Sequence, residues 1–162
     1  MKRIVLLLSA ACLMMVLTAG VVSAKTLFIS DTAEVSNADA AAWAIAYSAT
    51  IRLTTYDNQC VELRFSTEAK TDGSTLQPQI AFQALIDGVL ANPAPAIEEI
   101  NFDPSEFGVY DTASFSWYVC GLIVGRHDVQ VLFAPVNAGN TATLRSGTLM
   151  IEMKSGKFVP LQ

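Results

Sequence analysis

The chain has 162 residues, a formal net charge of −5 at pH 7 and a hydrophobic fraction of 52%. Apart from Lys2 and Arg3, its lysines and arginines are scattered, whereas phosphate binding requires clustered cations, so the surface as a whole is expected to repel nucleic acid and anionic membranes. Aromatic and β-branched residues occur throughout the chain, which excludes a disordered protein.

The first 24 residues have the pattern of a secretory signal peptide. Lys2 and Arg3 precede an unbroken apolar stretch, and residues 22–24 supply the small side chains of a cleavage site. Cleavage leaves residues 25–162 as one domain, secreted or periplasmic, with a formal charge of −7 because two cations are removed. No stable membrane insertion is expected after cleavage. The alternative is an uncleaved anchor, since the apolar stretch is long enough to span a bilayer.

The three cysteines predict a covalent cross-link. Cleavage would remove Cys12, and its lipidation is disfavoured because Ser9 stands where a lipidation signal has an aliphatic residue. Cys60 and Cys120 remain as an even pair in a protein bound for an oxidising compartment, so we predict a Cys60–Cys120 disulfide. Two buried free thiols and one reactive thiol are the alternatives. A zinc site is not expected, because the chain has no C-x-x-C and a single histidine.

Beyond the predicted signal, apolar residues recur at every second position, as in half-buried β-strands. The segments with this alternation are 43–53, 61–65, 80–86, 115–119, 127–133 and 149–153. Asp87-Gly88 adds a hairpin turn signal. We therefore predict an all-β fold, an antiparallel β-sandwich of jelly-roll or immunoglobulin-like type with about 7–8 strands. The sequence leaves the strand order open.

Two segments depart from this alternation. Ser36 and Asp39 have the spacing of a capping box ahead of an alanine-rich run, so a short helix near 36–44 is the helical alternative. Residues 91–108 contain three prolines and no clean period, which predicts a long connection with at most a short strand at Ile97 to Phe102.

Segment 114–133 holds the only histidine, one of the three cysteines and one of the two tryptophans. The alternation places His127 with Val129 and Val131 on the apolar face of a strand. We therefore predict an imidazole at the rim of the core, with one ring nitrogen bonded to a backbone carbonyl or a carboxylate. Ligand binding and catalysis by His127 are the alternatives.

No enzymatic activity, cofactor or metal site is expected. A serine triad would need His127 as its base, and no G-x-S-x-G motif accompanies it. The acidic side chains of the long connection, interpreted as solvated, are Glu98, Glu99, Asp103 and Glu106. A glycosidase pair or a calcium site would use the same oxygens, but the chain has no D-x-D-x-D-G pattern.

One part of the chain resembles a known group of domains through a G-x-H-x-V-x-V strand that lies between an aromatic strand and a closing strand. The positions that carry this pattern are Gly125, His127, Val129 and Val131, preceded by Phe115 and Trp117 and followed by Leu149 to Glu152. The chain resembles bacterial secreted β-sandwich domains of unassigned function and, more loosely, carbohydrate-binding modules. "VELRFSTEA" and "FQALIDG" are similar to that family's preceding strands. The resemblance implies a jelly-roll-like fold.

Binding is the expected class of function, with a glycan or an extracellular protein as the partner. The aromatic residues that fall outside the strand alternation, and are candidates for contacting the ligand, are Tyr56, Phe107, Tyr110 and Tyr118. The alternative is a structural or adhesive module that assembles with itself or with another envelope protein. Such a module would associate through exposed apolar side chains. Leu132 and Met150, which are expected to be exposed on the outer faces of their strands, are the candidates. The sequence indicates no oligomeric state.

Overall fold

The computed structural model describes residues 26–54, 59–73, 77–92 and 101–154, and the predicted signal peptide lies outside these ranges. The strands of the described part are β1 (Thr26–Asp31), β2 (Val35–Asn37), β3 (Ala44–Leu53), β4 (Gln59–Asp72), β5 (Ile80–Ile86), β6 (Val89–Leu90), β7 (Asn101–Phe102), β8 (Asp111–Leu122), β9 (Gly125–Pro135) and β10 (Thr141–Lys154). No helix occurs in these ranges, which confirms the all-β prediction, and none of the described segments could cross a membrane as a helix.

The strands form two antiparallel sheets that pack face to face. The first sheet has the order β1-β10-β4-β8, with β2 continuing the edge beside β10, and the second has the order β3-β9-β5-β6, with β7 beside β5. Four of the strand pairs are nested along the chain, as in one long hairpin: β1·β10, β3·β9, β4·β8 and β5·β6. Rolling that hairpin so that β10 also pairs with β4, and β9 with β5, gives a jelly roll rather than an immunoglobulin-like order.

An aromatic row fills the space between the sheets. The ring centroids of Phe65 and Phe82 lie 5.8 Å apart, those of Phe82 and Phe115 4.8 Å, and those of Phe115 and Trp117 5.7 Å. Trp117, Phe82 and Phe65 are almost fully buried. Burying an aromatic side chain stabilises a fold by about 1.5–3 kcal/mol, so this row forms the centre of the core.

The predicted alternation is confirmed along β5 but fails at the start of β3. A bulge between Ile45 and Tyr47 adds one residue, so Trp43 and Ile45 turn outward while Tyr47 faces the core. Leu132 of β9 points outward as expected, but the prediction that it is exposed is wrong. Leu132 pairs with Ile45, and only 8% of it is accessible.

The alternative of a short helix near 36–44 is wrong, because polar side chains bond the backbone into turns instead. Ser36 lies in β2, where its hydroxyl bonds the hydroxyl of Thr143. The amide of Asp39 donates to the side chain of Asn37, and the carboxylate of Asp39 accepts the amide of Ala41. Asn and Asp compete with helix formation in this way, and the chain enters β3 at Ala44.

The predicted disulfide and the predicted hairpin turn are both confirmed, and both lie at the end of the sandwich opposite residues 36–44. Cys60 and Cys120 form a disulfide between the neighbouring strands β4 and β8. Asp87 and Gly88 have φ angles of 53° and 78° and form the two-residue turn between β5 and β6. Positive φ at both central residues defines a type I′ hairpin, which explains why Asp-Gly stands there.

Candidate functional site

The outer face of the first sheet is the candidate functional site, because its register places four strands' outward side chains in parallel rows. The row nearest the disulfide, here called the tyrosine row, contains Thr26, Glu152, Glu62 and Tyr118. The arginine row contains Phe28, Met150, Arg64 and Ser116. The hydroxyl row contains Ser30, Thr148, Ser66 and Ser114. Each row is about 14 Å wide, since neighbouring strands lie about 4.8 Å apart.

A shallow trough of about 440 Å³ lies over the arginine and hydroxyl rows. Its lining includes the side chains of Phe28, Arg64, Ser66, Ser114, Ser116, Thr148 and Met150. The floor is low because serine and threonine are short, and the Ser114 hydroxyl donates to the Ser66 hydroxyl at 3.1 Å. The trough therefore offers hydroxyl donors and acceptors between taller side chains.

Phe28 forms one wall of the trough from the edge strand β1. This residue is 66% exposed, the highest value for an aromatic residue in the described ranges. Its cross-strand neighbour Met150, expected to be exposed, is half-buried beside it. A phenyl ring this exposed contributes little to the core, but it presents a flat apolar face at the trough.

Arg64 is fixed at the trough by a buried carboxylate. Its Nε donates to Glu62 Oε1 at 2.6 Å and its Nη2 donates to Oε2 at 3.2 Å. Tyr118 donates its hydroxyl to the same Oε1 at 2.9 Å, and Glu62 is only 2% accessible, whereas the Arg64 side chain is 53% exposed. The hydrogen bond that Arg64 donates to Glu62 raises the pKa of the guanidinium, and the two contacts set the orientation of Arg64 before a ligand arrives.

The structure separates the predicted ligand-contacting aromatics. Tyr118 belongs to the tyrosine row and is 37% exposed. Tyr110 precedes β8, and about 27 Å of extended chain separates it from Tyr118. Phe107 is half-buried in the connection before β8, and Tyr56 lies outside the described residues. Of the three that the structure describes, only Tyr118 is therefore placed beside the trough.

Tyr110 is engaged within the protein. Arg145 lies over its ring at 3.7 Å from the centroid, Lys70 lies at 5.2 Å, and its hydroxyl donates to Glu34 at 2.9 Å. Burial and this bond to Glu34 raise the pKa of the Tyr110 phenol. The ring joins the β1–β2 connection to the first sheet, which is a structural role.

His127 has the structural role predicted for it, with both suggested partners at once. It is 4% accessible, Nδ1 lies 2.6 Å from the Asp87 carboxylate, and Nε2 lies 2.8 Å from the carbonyl oxygen of Ile123. Asp87 also accepts the amide of Asp128. His127 therefore joins the β5–β6 turn to the β8–β9 turn. Among the described residues, no group of three or more histidine, cysteine or acidic side chains could hold a metal ion.

Sequence reasoning missed the two principal side chains of the trough, Phe28 and Arg64. The run "TLFISD" at residues 26–31 has strand composition, but both Leu27 and Phe28 are apolar, so alternation does not decide which faces out. Arg64 is at an outward position of a predicted strand, but its place beside Phe28 depends on pairing through β10.

No protein-family model and no curated protein matches the chain. Among solved structures, dimeric latent PorU from Porphyromonas gingivalis aligns at 9% identity and a TM-score of 0.46, over 79% of this chain and 12% of that one. The VP2 subviral particle of infectious bursal disease virus aligns at 13% identity and 0.45, over 78% and 31%. The C-terminal domain of EclA, a sugar-binding protein, aligns at 14% identity and 0.40, over 85% and 86%. TM-scores below 0.5 identify neither a family nor an activity.

Proposed function

We propose that the protein is an exported, non-catalytic module that binds a glycan chain in the trough on the outer face of its first sheet. The observation that carries the proposal is the combination of an exposed Phe28 ring with a floor of serine and threonine hydroxyls. Sugar rings have apolar faces that stack on aromatic side chains and hydroxyl edges that exchange hydrogen bonds. The trough offers both chemistries side by side.

Arg64 adds a fixed donor to this arrangement. Its guanidinium has five N–H donors, and the two contacts with Glu62 leave others for a ligand. A donor whose orientation is already set loses little entropy on binding, so it favours a ligand with an oxygen at one defined place. The Cys60–Cys120 disulfide fits an oxidising compartment, where extracellular or periplasmic glycans are encountered.

The test is a glycan array probed with the oxidised exported protein, followed by calorimetry on the glycan that is retained. Phe28→Ala should weaken binding about tenfold through lost stacking, and Ser114→Leu should abolish it because the larger side chain fills the trough. Trp43→Ala is the matched control, since Trp43 is an exposed aromatic outside the trough. Parallel arrays with calcium and with chelator separate direct contact from a metal role.

Binding that survives in both trough variants would refute the assignment of the site, and a loss in Trp43→Ala alone would move the site to the second sheet. Because Phe28 and Ser114 are exposed, neither substitution should alter the thermal unfolding temperature, and an unchanged value makes a loss of binding specific.

The second candidate function is assembly through the outer face of the second sheet. Trp43 is 41% exposed and Ile45 53% exposed, and the edge strand β3 pairs only with β9 within the described ranges. Edge strands beside exposed apolar side chains favour association with another chain. Sedimentation velocity over a concentration series tests this function. An oligomer that dissociates in Trp43→Ala/Ile45→Ser supports it, and a monomer at all concentrations rejects it.

A further inference from the structure

The end of the sandwich that carries the disulfide also carries a cluster of exposed aliphatic side chains. We call this region the tip and define it as the turns Asp87–Leu90 and Leu122–Gly125. Val89 is 67% exposed, Leu90 44%, Ile123 64% and Val124 48%. Isolated exposed aliphatic residues are common, but four of them on two joined turns form a patch.

The tip is rigid, because four separate features hold its backbone. His127 bonds Asp87 of one turn and the Ile123 carbonyl of the other. The Asp87 amide donates to the Asp128 carbonyl, and the Cys60–Cys120 disulfide lies at the base of the second turn. The type I′ hairpin fixes the first turn. The exposed side chains are therefore presented in one arrangement, so little order has to be gained on binding.

Two arginines lie directly behind the tip. Arg52 at the end of β3 pairs in register with Arg126 at the start of β9, and the Arg126 side chain is 73% exposed. Asp128 contacts Arg126 at 3.5 Å, an exposed ion pair that leaves most of the guanidinium in solvent. The cations thus lie one residue behind the turn that carries Ile123 and Val124.

The charges of the described part are distributed unevenly along the strands. Most carboxylates lie in the half away from the tip, where β4 ends and β8 and β10 begin: Asp31, Glu34, Asp39, Glu68, Asp72, Asp103, Glu106 and Asp111. Within the described ranges, the net negative charge is therefore concentrated at the far end, because at the tip the carboxylates of Asp87 and Asp128 are matched in number by Arg52 and Arg126. In front of a negatively charged surface, this distribution turns the tip toward it.

We propose that the tip docks on a lipid bilayer with anionic headgroups, with Ile123 and Val124 in the interfacial layer and Arg52 and Arg126 against the headgroups. A convex, aliphatic tip suits a deformable lipid surface better than a protein groove, whose binding energy usually comes from aromatic anchors in pockets. Each arginine near such a surface contributes about 1 kcal/mol, which adds to the burial of the aliphatic groups. This inference is independent of the glycan trough.

The test is vesicle co-sedimentation of the oxidised exported protein, with its N-terminus established by mass spectrometry. Vesicles of phosphatidylcholine alone are compared with vesicles that contain phosphatidylglycerol in equal amount. The double variant Ile123→Ser/Val124→Ser should reduce the affinity at least about tenfold. Arg52→Gln and Arg126→Gln should each reduce it about fivefold. Val109→Ser is the matched control, because it removes an exposed aliphatic side chain at the other end of the sandwich, 42% exposed against 48% for Val124, and should leave binding unchanged.

The proposal is supported if the protein sediments with the mixed vesicles and if the sedimented fraction falls in the tip and arginine variants. Added salt should also lower that fraction. No sedimentation, equal binding to phosphatidylcholine alone, or full binding by the Ile123→Ser/Val124→Ser variant overturns it. Sedimentation velocity without vesicles tests the competing occupant. A dimer that dissociates in the same variant would assign the tip to a second copy of the chain and would also overturn the lipid proposal.

Discussion

Replacing Asp87 with Asn tests how the two turns of the tip are joined. Both ring nitrogens of His127 face acceptors, the Asp87 carboxylate at 2.6 Å and the Ile123 carbonyl at 2.8 Å. A neutral imidazole has one N–H and can satisfy only one of them, whereas the cation satisfies both. The bond to Asp87 accordingly raises the pKa of His127 against the opposing effect of burial. The hydrogen bond from the Asp128 amide has the largest effect on Asp87 and lowers its pKa. The hydrogen bond from His127 lowers it further.

These shifts define a pH window of maximal stability. The stabilisation from His127 is complete below its ordinary pKa of about 6.5 and is lost as the pH rises through the raised value. The stabilisation from Asp87 is complete above its ordinary 3.8 and is lost as the pH falls through the lowered value. The pair therefore stabilises the fold most between about pH 4 and pH 6.5.

The magnitude is reduced by solvent. A hydrogen bond to a charged group contributes about 1.5–3 kcal/mol, but the Asp87 side chain is 46% exposed, so we expect about 1 kcal/mol. Asn is the appropriate substitution because it keeps an oxygen acceptor and tolerates the φ of 53° at this position. The loss then measures the charge of Asp87 rather than the shape of the turn.

The assay is an NMR titration of the imidazole Cε1–H signal, which belongs to His127 because the chain has one histidine. The wild-type midpoint should lie above about 6.5 and should fall in Asp87→Asn, each pH unit lost corresponding to about 1.4 kcal/mol. In urea unfolding, the wild type should exceed Asp87→Asn in free energy of unfolding by about 1 kcal/mol near pH 5.5 and by less near pH 8.5. A wild-type midpoint at or below the ordinary value, or one that Asp87→Asn leaves unchanged, would refute the reasoning.

Two further predictions concern stability alone. Replacing Cys60 and Cys120 with Ala should lower the free energy of unfolding by about 4 kcal/mol, because the disulfide spans 60 residues of chain. Urea unfolding of the oxidised protein and of the variant measures this loss. A much smaller loss would contradict the loop-entropy account. Gly147→Ala should destabilise the fold by about 1–3 kcal/mol, because the new Cβ would lie 2.7 Å from the hydroxyl oxygen of Tyr47. That hydroxyl is held by hydrogen bonds to the backbone of Asp31. An unchanged melting temperature would show that Tyr47 moves freely.

The strands of the core could be predicted because their alternation is local. In β5, Ile80, Phe82, Ala84 and Ile86 are all buried, with the residues between them less so, as a two-residue period requires. The start of β3 could not be predicted in this way. One extra residue before Tyr47 exchanges the inward-facing and outward-facing positions of the strand. The alanine-rich sequence there has the same two-residue period with or without a bulge, so the bulge could not be foreseen.

The candidate site was less predictable, because it depends on pairing between distant parts of the chain. Phe28 and Met150 become neighbours only when β1 pairs with β10, and Arg64 joins them only through the register of β10 with β4. Alternation shows that Arg64 points outward, but not which side chains lie across the strands from it. The role of His127 was predictable because the alternation of its own strand places it on the apolar face, but its carboxylate partner Asp87 is 40 residues away and could not be named.

The trough and the tip can act together because the strands run from one toward the other. Along β8, Ser116 and Ser114 lie six and eight residues before Leu122, which places the trough about 20 to 27 Å from the tip at 3.4 Å per residue. A bilayer that meets the tip leaves the outer face of the first sheet accessible to a glycan, because this face is parallel to the strands and stands away from the lipid surface. Phe28→Ala should therefore leave vesicle binding intact, and Ile123→Ser/Val124→Ser should leave glycan binding intact. Loss of both activities in either variant would show that the two surfaces are not independent.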